Sequence, residues 1–521
     1  MNVRSHRKMW LAVASLPLSF GALTTRAARA QSVPPLRQSV PPRVLSLPPA
    51  RCGRRSAVRA SMAAPALAAA PAAADADEAQ DCPPTASLAE LTARANAPVA
   101  PQAPSIGASP DPSPEAAPQA DAPAQPAASE PAPPSGYFAG AYLTTDWGGA
   151  RPWLQEHGVD LFLRYTSEGF ARVRGGAATS DARAFLGSFV AGIDVDTGVL
   201  GAWKGGTLHA HMQALHGDGV SAKHLGVLQS ASNLEAERFA TLAEVWYRHE
   251  FFDGKLALKV GKQDASVDFA ASDFASGLLN ASFGVFPTLA LTTYPQWGLG
   301  VAAFVTPAKW LTVQTAIYDG APDGNAPLGG TTAFDAEGGH LLVGEVQLHL
   351  APLLGLASGT LRLGGWRHTG DAPALQASAD DTSERTFAGN YGAYGILDAK
   401  LYGPSGEGRE GEGLGVFLQA GVAPEDRNET RMYLGGGLAF TGAIPGRSAD
   451  VASLGVGHAE MAGAVRALED RTSETVVELS YRAPITGAIS VQPDAQYFVR
   501  PSGDGGVPNA AVVGIRMVAS L

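Results

Sequence analysis

The chain is poor in cysteine, in basic charge and in long apolar runs, and each shortage excludes a class of protein. Only two of its 521 residues are cysteine, Cys52 and Cys82, so neither a disulfide scaffold nor a cysteine-based metal centre can organise it. No run of about 18 uncharged apolar residues follows the N-terminal segment, which excludes a helical membrane transporter. Basic residues number 38 against 49 acidic ones, and the formal charge of -11 argues against a nucleic-acid partner.

Glycine and proline are abundant instead, with 61 and 38 residues respectively. This composition argues against a coiled coil or a helical bundle, because both residues weaken helix interiors. More than half of the prolines lie between residues 31 and 136, in a stretch that is otherwise mostly Ala, Ser and Asp. Such a stretch cannot bury enough apolar surface to offset the entropy of ordering. We therefore predict a disordered Ala/Pro-rich linker over 31–136, which forms a semi-rigid tether.

The first thirty residues have the pattern of an export signal. A basic segment at 4–8 precedes an apolar segment at 9–23 and a small-x-small cleavage pattern at 28–30. This order predicts a signal peptide over 1–30. A second Ala-rich run, 61–74, follows further arginines and would serve the same purpose if the true start lay downstream. Either choice moves only the processing site, and both predict an exported protein.

From Tyr137 onward the sequence changes to short alternating segments, and we predict a domain over 137–521. Residues 146–158 predict one short amphipathic helix that ends at Gly158. Apolar and polar residues then alternate from Val159 to Thr166, which is the period-2 pattern of a strand with one apolar face.

The same alternation predicts about sixteen strands, with boundaries good to a few residues. They are near 159–172, 184–199, 206–214, 241–251, 255–263, 298–305, 310–318, 340–350, 359–367, 390–402, 412–422, 431–441, 450–460, 474–483, 488–500 and 510–521.

The gaps between these segments alternate in length. The even-numbered gaps are short and turn-like, as at 253–254, 306–309 and 484–487, whereas most odd-numbered gaps are longer and polar. The longest gap runs from 264 to 297, between the fifth and sixth strands. An outer-membrane barrel has tight periplasmic turns on one rim and longer extracellular loops on the other. The fold class is therefore predicted to be all-β, a transmembrane antiparallel β-barrel of about 16 strands.

The faces of the predicted strands agree with this fold. In 474–483, Val477, Leu479 and Tyr481 oppose Glu478 and Arg482. Apolar residues outside and polar residues inside predict a water-filled lumen, because a soluble barrel of this size would reverse the pattern. Four aromatic residues near strand ends fit interfacial girdles. They are Trp310, Tyr318, Tyr402 and Tyr497.

No enzymatic motif stands out. The sequence contains no GxSxG elbow and no HExxH spacing, so we predict neither an enzyme nor a cofactor. His209 and His211 lie two apart on a predicted strand and so share one face. They could hold a metal, but the pattern favours two lumen histidines without a ligand, and no metal site is predicted.

Four segments carry a resemblance to a known family. They are DWGGARPWLQEHGV (146–159), EVWYRHEFFDGKLALKVGKQD (244–264), SDFASGLLNASFG (272–284) and ETVVELSYRAPITGAISVQPDAQYFVRPSGDGGVPNAAVVGIRM (474–517). In this order they resemble the carbohydrate-selective porin family, often called the OprB family. The resemblance extends over about 137–521. It implies a sixteen-stranded barrel in the outer membrane of a Gram-negative bacterium that passes small carbohydrates, such as glucose, into the periplasm by facilitated diffusion.

A selective sugar pore needs charged hydrogen-bonding groups and aromatic contacts at a narrow point, and its binding must stay weak. The gap 264–297 falls where a general porin folds its constriction loop inward, and we place charged wall residues opposite that loop. The predicted constriction residues are Glu244, Trp246, Arg248, Lys259, Asp264, Asp268, Asp273, Arg362, Glu478, Arg482, Asp494 and Arg516.

Two alternatives remain open at this point. The barrel could be a general, weakly selective porin for small hydrophilic solutes, or it could serve mainly as an envelope tether through 31–136. The expected partners are small carbohydrates, outer-membrane lipid and the barrel assembly machinery, with a possible cell-wall contact through 31–136.

Overall fold

The computed structural model describes residues 141–178, 182–322, 334, 338–354, 358–375, 385–403 and 411–521. Contacts divide the chain into two units, Met1–Gln119 and Ala120–Leu521, and all described residues belong to the second. The predicted signal peptide over 1–30 and the predicted linker over 31–136 lie outside the described residues.

Sixteen antiparallel strands form a closed barrel in which each strand pairs with its neighbours, and the first strand pairs with the last. The prediction of a sixteen-stranded antiparallel barrel is confirmed. The barrel strands are β1 (Val159–Arg174), β2 (Arg183–Asp196), β3 (Gly206–Asp218), β4 (Phe239–Phe251), β5 (Leu256–Gln263), β6 (Gly298–Ala308), β7 (Leu311–Asp319), β8 (His340–His349), β9 (Gly359–His368), β12 (Asn390–Tyr402), β13 (Gly413–Val422), β14 (Thr430–Thr441), β15 (Val451–Met461), β16 (Ser473–Pro484), β17 (Ile489–Val499) and β18 (Ala510–Ser520).

The elements outside the barrel wall are short. A two-stranded ribbon pairs β10 (Ala372–Pro373) with β11 (Thr386–Phe387). Within the described residues, the α-helices are α1 (Ala150–Glu156), α2 (Ala265–Asp268), α3 (Leu350–Leu354) and α4 (Gly463–Glu469). Helix α1 lies inside the segment 146–158. In the described part of the chain, no helix has the length and apolar character needed to cross a membrane.

The connections alternate in length less strictly than the sequence predicts. Tight turns at 252–255, 309–310 and 485–488 lie on one rim, and the long connections 219–238, 264–297, 320–339 and 369–389 lie on the other. However, the tight-turn rim also carries 197–205, 350–358, 403–412 and 442–450, while the opposite rim carries the brief connections 175–182 and 423–429. The alternation in connection length therefore distinguishes the two rims without determining the length of every connection.

The two faces of the wall differ as predicted. On β16, Leu479 is 59% exposed and faces outward, whereas its neighbour Glu478 is fully buried inside. On β18, Val513, Ile515 and Met517 are exposed, and the intervening Arg516 points inward. This outward apolar band is the surface that a barrel presents to lipid.

The aromatic residues follow the girdle prediction only in part. Trp310 and Tyr402 are exposed near strand ends, where a girdle would place them. The prediction is wrong for Tyr318, which is fully buried on the inner face of β7. Tyr318 shares that face with Gln314 and Ala316, and the alternation along β7 therefore turns it inward.

Glycine allows one strand to change its facing direction. Gly261 in β5 has φ of +136°, and a Cβ there would lie 2.2 Å from the Val245 carbonyl oxygen. Since only glycine tolerates this conformation and this approach, the alternation shifts at Gly261. Lys259 and Lys262 are consequently both buried, although they are three residues apart.

Candidate functional site in the barrel lumen

The long loop, residues 264–297, folds into the barrel and fills part of the lumen. Phe269, Leu279 and Phe286 on this loop are fully buried. Phe286 stacks on Tyr433 of β14 with ring centroids 4.9 Å apart, and Phe283 meets Phe417 of β13 edge-on at 5.9 Å. Apolar side chains on the inner wall therefore give the long loop a surface on which to pack inside the lumen.

Buried carboxylates on the wall hold the backbone of the long loop. Glu478 of β16 accepts hydrogen bonds from the backbone N–H groups of Leu279 and Asn280, the second at 3.0 Å. Glu345 of β8 accepts one from Ala270 N at 2.8 Å. Asp398 of β12 accepts one from the Ser272 hydroxyl at 2.7 Å. These contacts therefore fix the path of the loop across the lumen.

A second connection, the companion loop (residues 219–238), also folds inward. Glu474 of β16 accepts hydrogen bonds from Leu228 N and Gln229 N, both at 2.8 Å. Glu168 of β1 accepts one from the Ser232 hydroxyl at 2.6 Å. The companion loop also contacts the long loop, because Asn280 Nδ2 donates to the Gln229 carbonyl at 3.1 Å. The two loops form one bonded unit inside the barrel.

A cavity of about 580 Å³ remains between the two loops and the wall formed by β1 and β18. Its lining combines both signs of charge with amide and phenol groups. The residues that define its chemistry are Arg164, Asn233, Glu235, Asp264, Tyr294 and Arg516. Charged groups, hydrogen-bonding side chains and one aromatic ring thus converge on a space bounded by a rigid wall.

Two of the predicted constriction residues line this cavity. Arg516 forms an ion pair with Glu168, and its Nη2 donates to Asn233 Oδ1 at 2.6 Å. Asp264 caps the short helix α2 by accepting a hydrogen bond from Ser266 N at 2.8 Å, and its other oxygen accepts one from Tyr294 N at 3.1 Å. Asp264 therefore ties the start of the long loop to its end.

Six predicted residues lie where the loop meets the wall, away from the open cavity. Lys259 pairs with Asp268 at 2.7 Å, and Arg362 reaches Asp273 at 3.3 Å as well as pairing with Asp398. Asp494 accepts a hydrogen bond from Gln496 at 2.9 Å, beside Glu478. The side chains of this group other than Asp273 are largely buried in the loop–wall contact. Their structural effect is to position the loop, and a direct contact with sugar stays a prediction.

The remaining four predicted residues lie on other parts of the inner wall. Glu244 accepts hydrogen bonds from Trp246 Nε1 at 2.9 Å and from Asp264 N at 3.3 Å. Arg248 pairs with Glu250 at 3.3 Å near a tight turn. Arg482 is exposed near the turn that follows β16.

Sequence reasoning missed several lining residues for two different reasons. Arg164 alternates with Leu163 and Leu161 along β1, and this alternation signals its inward direction. Glu235 and Tyr294 lie in loops without periodicity, where no sequence signal marks them. Burial raises the pKa of the Glu235 carboxyl, although hydrogen bonds from Ser221 and Val220 oppose that rise. Burial likewise raises the pKa of the Tyr294 phenol.

Comparison with known proteins agrees with this architecture. Residues 182–521 match the family described as carbohydrate-selective porin, OprB family. The chain belongs to this family. Porin B of Pseudomonas aeruginosa is 24% identical over 415 residues, which cover 72% of this chain and 90% of that protein. The putative porin QuiX of Acinetobacter baylyi is 21% identical over 416 residues, which cover 72% and 92%.

A solved structure of an OprB protein shows the same fold. The high-pH structure of Pseudomonas putida OprB matches with a TM-score of 0.66 at 20% sequence identity, covering 73% of this chain and 98% of that one. OprB porins are outer-membrane channels rather than enzymes, and the predictions of a porin and of a Gram-negative outer-membrane location are confirmed.

Proposed function

We propose that this OprB porin carries monosaccharides such as glucose into the periplasm by facilitated diffusion, and that the cavity beside β1 and β18 is its selective point. The observation that carries the proposal is the mixed lining of that cavity, in which Arg164 and Arg516 together with Glu235 and Asp264 border a space of about 580 Å³.

A sugar is uncharged and fringed with hydroxyl groups that both donate and accept hydrogen bonds. Arginine guanidinium groups only donate, and carboxylates only accept, so a lining that contains both satisfies both halves of each hydroxyl. Tyr294 adds an aromatic ring that suits the C–H face of a sugar. A pore built for anions would need the arginines without the acids.

The rigidity of the lining supports selectivity. Asn233 accepts from Arg516, and the Tyr294 hydroxyl donates to the Leu234 carbonyl at 2.8 Å, so these groups are held before a solute arrives. A preorganised site loses less entropy on binding, yet a few contacts keep binding weak enough for release.

The test combines sugar block with ion selectivity in single channels reconstituted into planar bilayers. Arg164→Gln is the informative variant, since Arg164 is exposed to the cavity. We expect glucose to block the wild-type current, the variant to lose most of that block, and its cation preference to rise because one positive charge is gone.

Arg367→Gln is the matched control, because Arg367 is an exposed arginine on β9 that does not line this cavity. It should keep wild-type block and selectivity. Passage of sugars and other small hydrophilic solutes at rates set by size alone, with no block by glucose, would instead support a general porin and overturn the proposal.

A further inference from the structure

A compact group of metal-binding side chains lies on the inner wall outside the proposed sugar cavity. His209 and His211 of β3 and Glu244 of β4 each offer a ligand atom, and these atoms lie within 4.8 Å of one another. His209 Nε2 is 2.9 Å from His211 Nδ1, and His211 Nδ1 is 4.0 Å from Glu244 Oε1. Among the described residues, no other set of three such side chains converges in this way.

Strand pairing produces this arrangement. The two histidines are two residues apart and so share the inner face of β3. The register places His211 opposite Glu244 on β4 and His209 opposite Asp194 on β2. Four side chains from three adjacent strands therefore form a row on a rigid wall, which is a better platform for a metal than a loop.

The hydrogen bonds of His209 and Glu244 to neighbouring residues leave one atom of each side chain available to bind a metal ion. Asp194 Oδ1 lies 2.6 Å from His209 Nδ1, so that nitrogen carries the proton and Nε2 turns its lone pair toward His211. Glu244 uses Oε2 to accept from Trp246 and Asp264, which leaves Oε1 facing His211. His209 is held between Trp246, stacked at 4.7 Å, and Phe162, stacked at 5.8 Å.

We propose that His209, His211 and Glu244 form a binding site for a divalent transition-metal ion of the zinc type. Two imidazole nitrogens and one carboxylate oxygen are a ligand set that zinc accepts, with a fourth position open to water. Asp194 is the outer partner that orients His209, as carboxylates commonly do for zinc-bound histidines.

The distances need only small adjustments. Two ligand atoms bound to a tetrahedral zinc ion lie about 3.3 Å apart. This value falls between the 2.9 Å from His209 Nε2 to His211 Nδ1 and the 4.0 Å from His211 Nδ1 to Glu244 Oε1. In the metal-free state, one proton must sit between His209 Nε2 and His211 Nδ1, because two lone pairs at 2.9 Å would repel. When the ion binds, that proton leaves Nδ1 of His211 and moves to Nε2 of the same ring, so that His211 stays neutral and its Nδ1 lone pair reaches the ion.

The site is accessible but sheltered. The side chains of His209, His211 and Glu244 are 14%, 11% and 12% exposed, respectively. Low exposure strengthens the attraction between the ion and Glu244, because water screens it less. The inference rests on this geometry alone and does not depend on which solute passes through the pore.

The experiment measures zinc binding to the full-length protein in detergent by competition with a chromophoric chelator. Cys52→Ser and Cys82→Ser form the background in all arms, so that the two thiols of the chain do not contribute. We expect one tightly bound zinc ion per chain. His211→Ala should weaken binding by more than 100-fold, and Asp194→Asn by about 10–100-fold, as expected for an outer-shell partner.

His458→Ala is the matched control, because His458 bonds to Thr475 on the opposite side of the barrel wall from the lumen and should leave binding unchanged. Cobalt substitution adds an independent readout, since a tetrahedral site gives visible absorption bands that His211→Ala should abolish. Heat modifiability on gels checks that each variant is folded.

If His211→Ala does not assemble, Glu244→Gln carries the same expectation of weakened binding. Zinc binding that survives in the folded variants unchanged, or a wild-type stoichiometry well below one, would overturn the proposal.

Discussion

The inner wall has two regions that use the same kinds of residue for different purposes. On β8, β12 and β16, buried carboxylates bind loop backbone and, in one case, pair with a buried arginine, Arg362. On β1 and β18, Arg164 and Arg516 border an open cavity, although buried Glu168 of β1 also binds the companion loop there. We call these the anchored wall and the open wall.

The difference lies in coverage by the loops and not in composition. Glu478 is fully buried because the long loop bonds to it, whereas Arg164 is exposed and borders the cavity that the two loops leave open. A charge on the lumen face therefore has two possible roles, and only the path of the loops decides between them.

The largest effect is expected from a change on the anchored wall. Asp398→Asn removes the carboxylate that pairs with buried Arg362 and binds the long loop. Removing one partner of a buried ion pair costs about 3–5 kcal/mol. We expect a lower unfolding midpoint in urea and a larger, noisier single-channel current, because the loop detaches.

Asp253→Asn, in the exposed turn after β4, is the control for the loss of a carboxylate and should match the wild type. An Asp398→Asn channel with wild-type conductance and stability would show that the anchored wall does not hold the loop.

A smaller effect is expected from a neutral anchor. Gln492 of β17 donates to the Gly277 carbonyl of the long loop at 2.9 Å. Gln492→Ala leaves this buried carbonyl without its donor, which costs about 1–3 kcal/mol. The unfolding midpoint should fall less than in Asp398→Asn, while Gln155→Ala on the exposed helix α1 should change nothing. A drop larger than that of Asp398→Asn would contradict the greater weight given to charged anchors.

The smallest effect concerns pH and the open wall. Burial raises the pKa of Glu235 above its ordinary value of 4.5, so the protonated carboxyl is favoured in the folded companion loop. The stability that the protonated Glu235 carboxyl contributes to the folded state is complete below pH 4.5. It is lost as the pH rises through the raised pKa of the folded state. Over the same window the cavity gains one negative charge, and cation preference should increase.

Reversal potentials measured in a salt gradient at several pH values test this expectation. Glu235→Gln should flatten the change, because it keeps the shape of the side chain and removes its titration. An equally steep pH dependence in that variant would assign the effect to another group.

Sequence reasoning predicted the wall far better than the contents of the lumen. The predicted strand 390–402 coincides with β12. Side chains on a barrel strand face lipid and lumen in turn, so apolar and polar residues alternate along its sequence with a period of two. Arg516 was found by the same signal. The companion loop was missed because its inward course depends on contacts with distant residues, such as Glu474 with Leu228, which leave no local pattern.

The path of the long loop has a mechanical consequence for the barrel. It leaves β5, crosses the interior and is bonded to β12, β16 and β17 before it returns to β6. A loop that is bonded to opposite parts of the barrel wall resists flattening of the barrel's cross-section. Lateral pressure from the bilayer would have to break these bonds before the cross-section could become oval, so the bore should keep its width when the thickness or tension of the membrane changes.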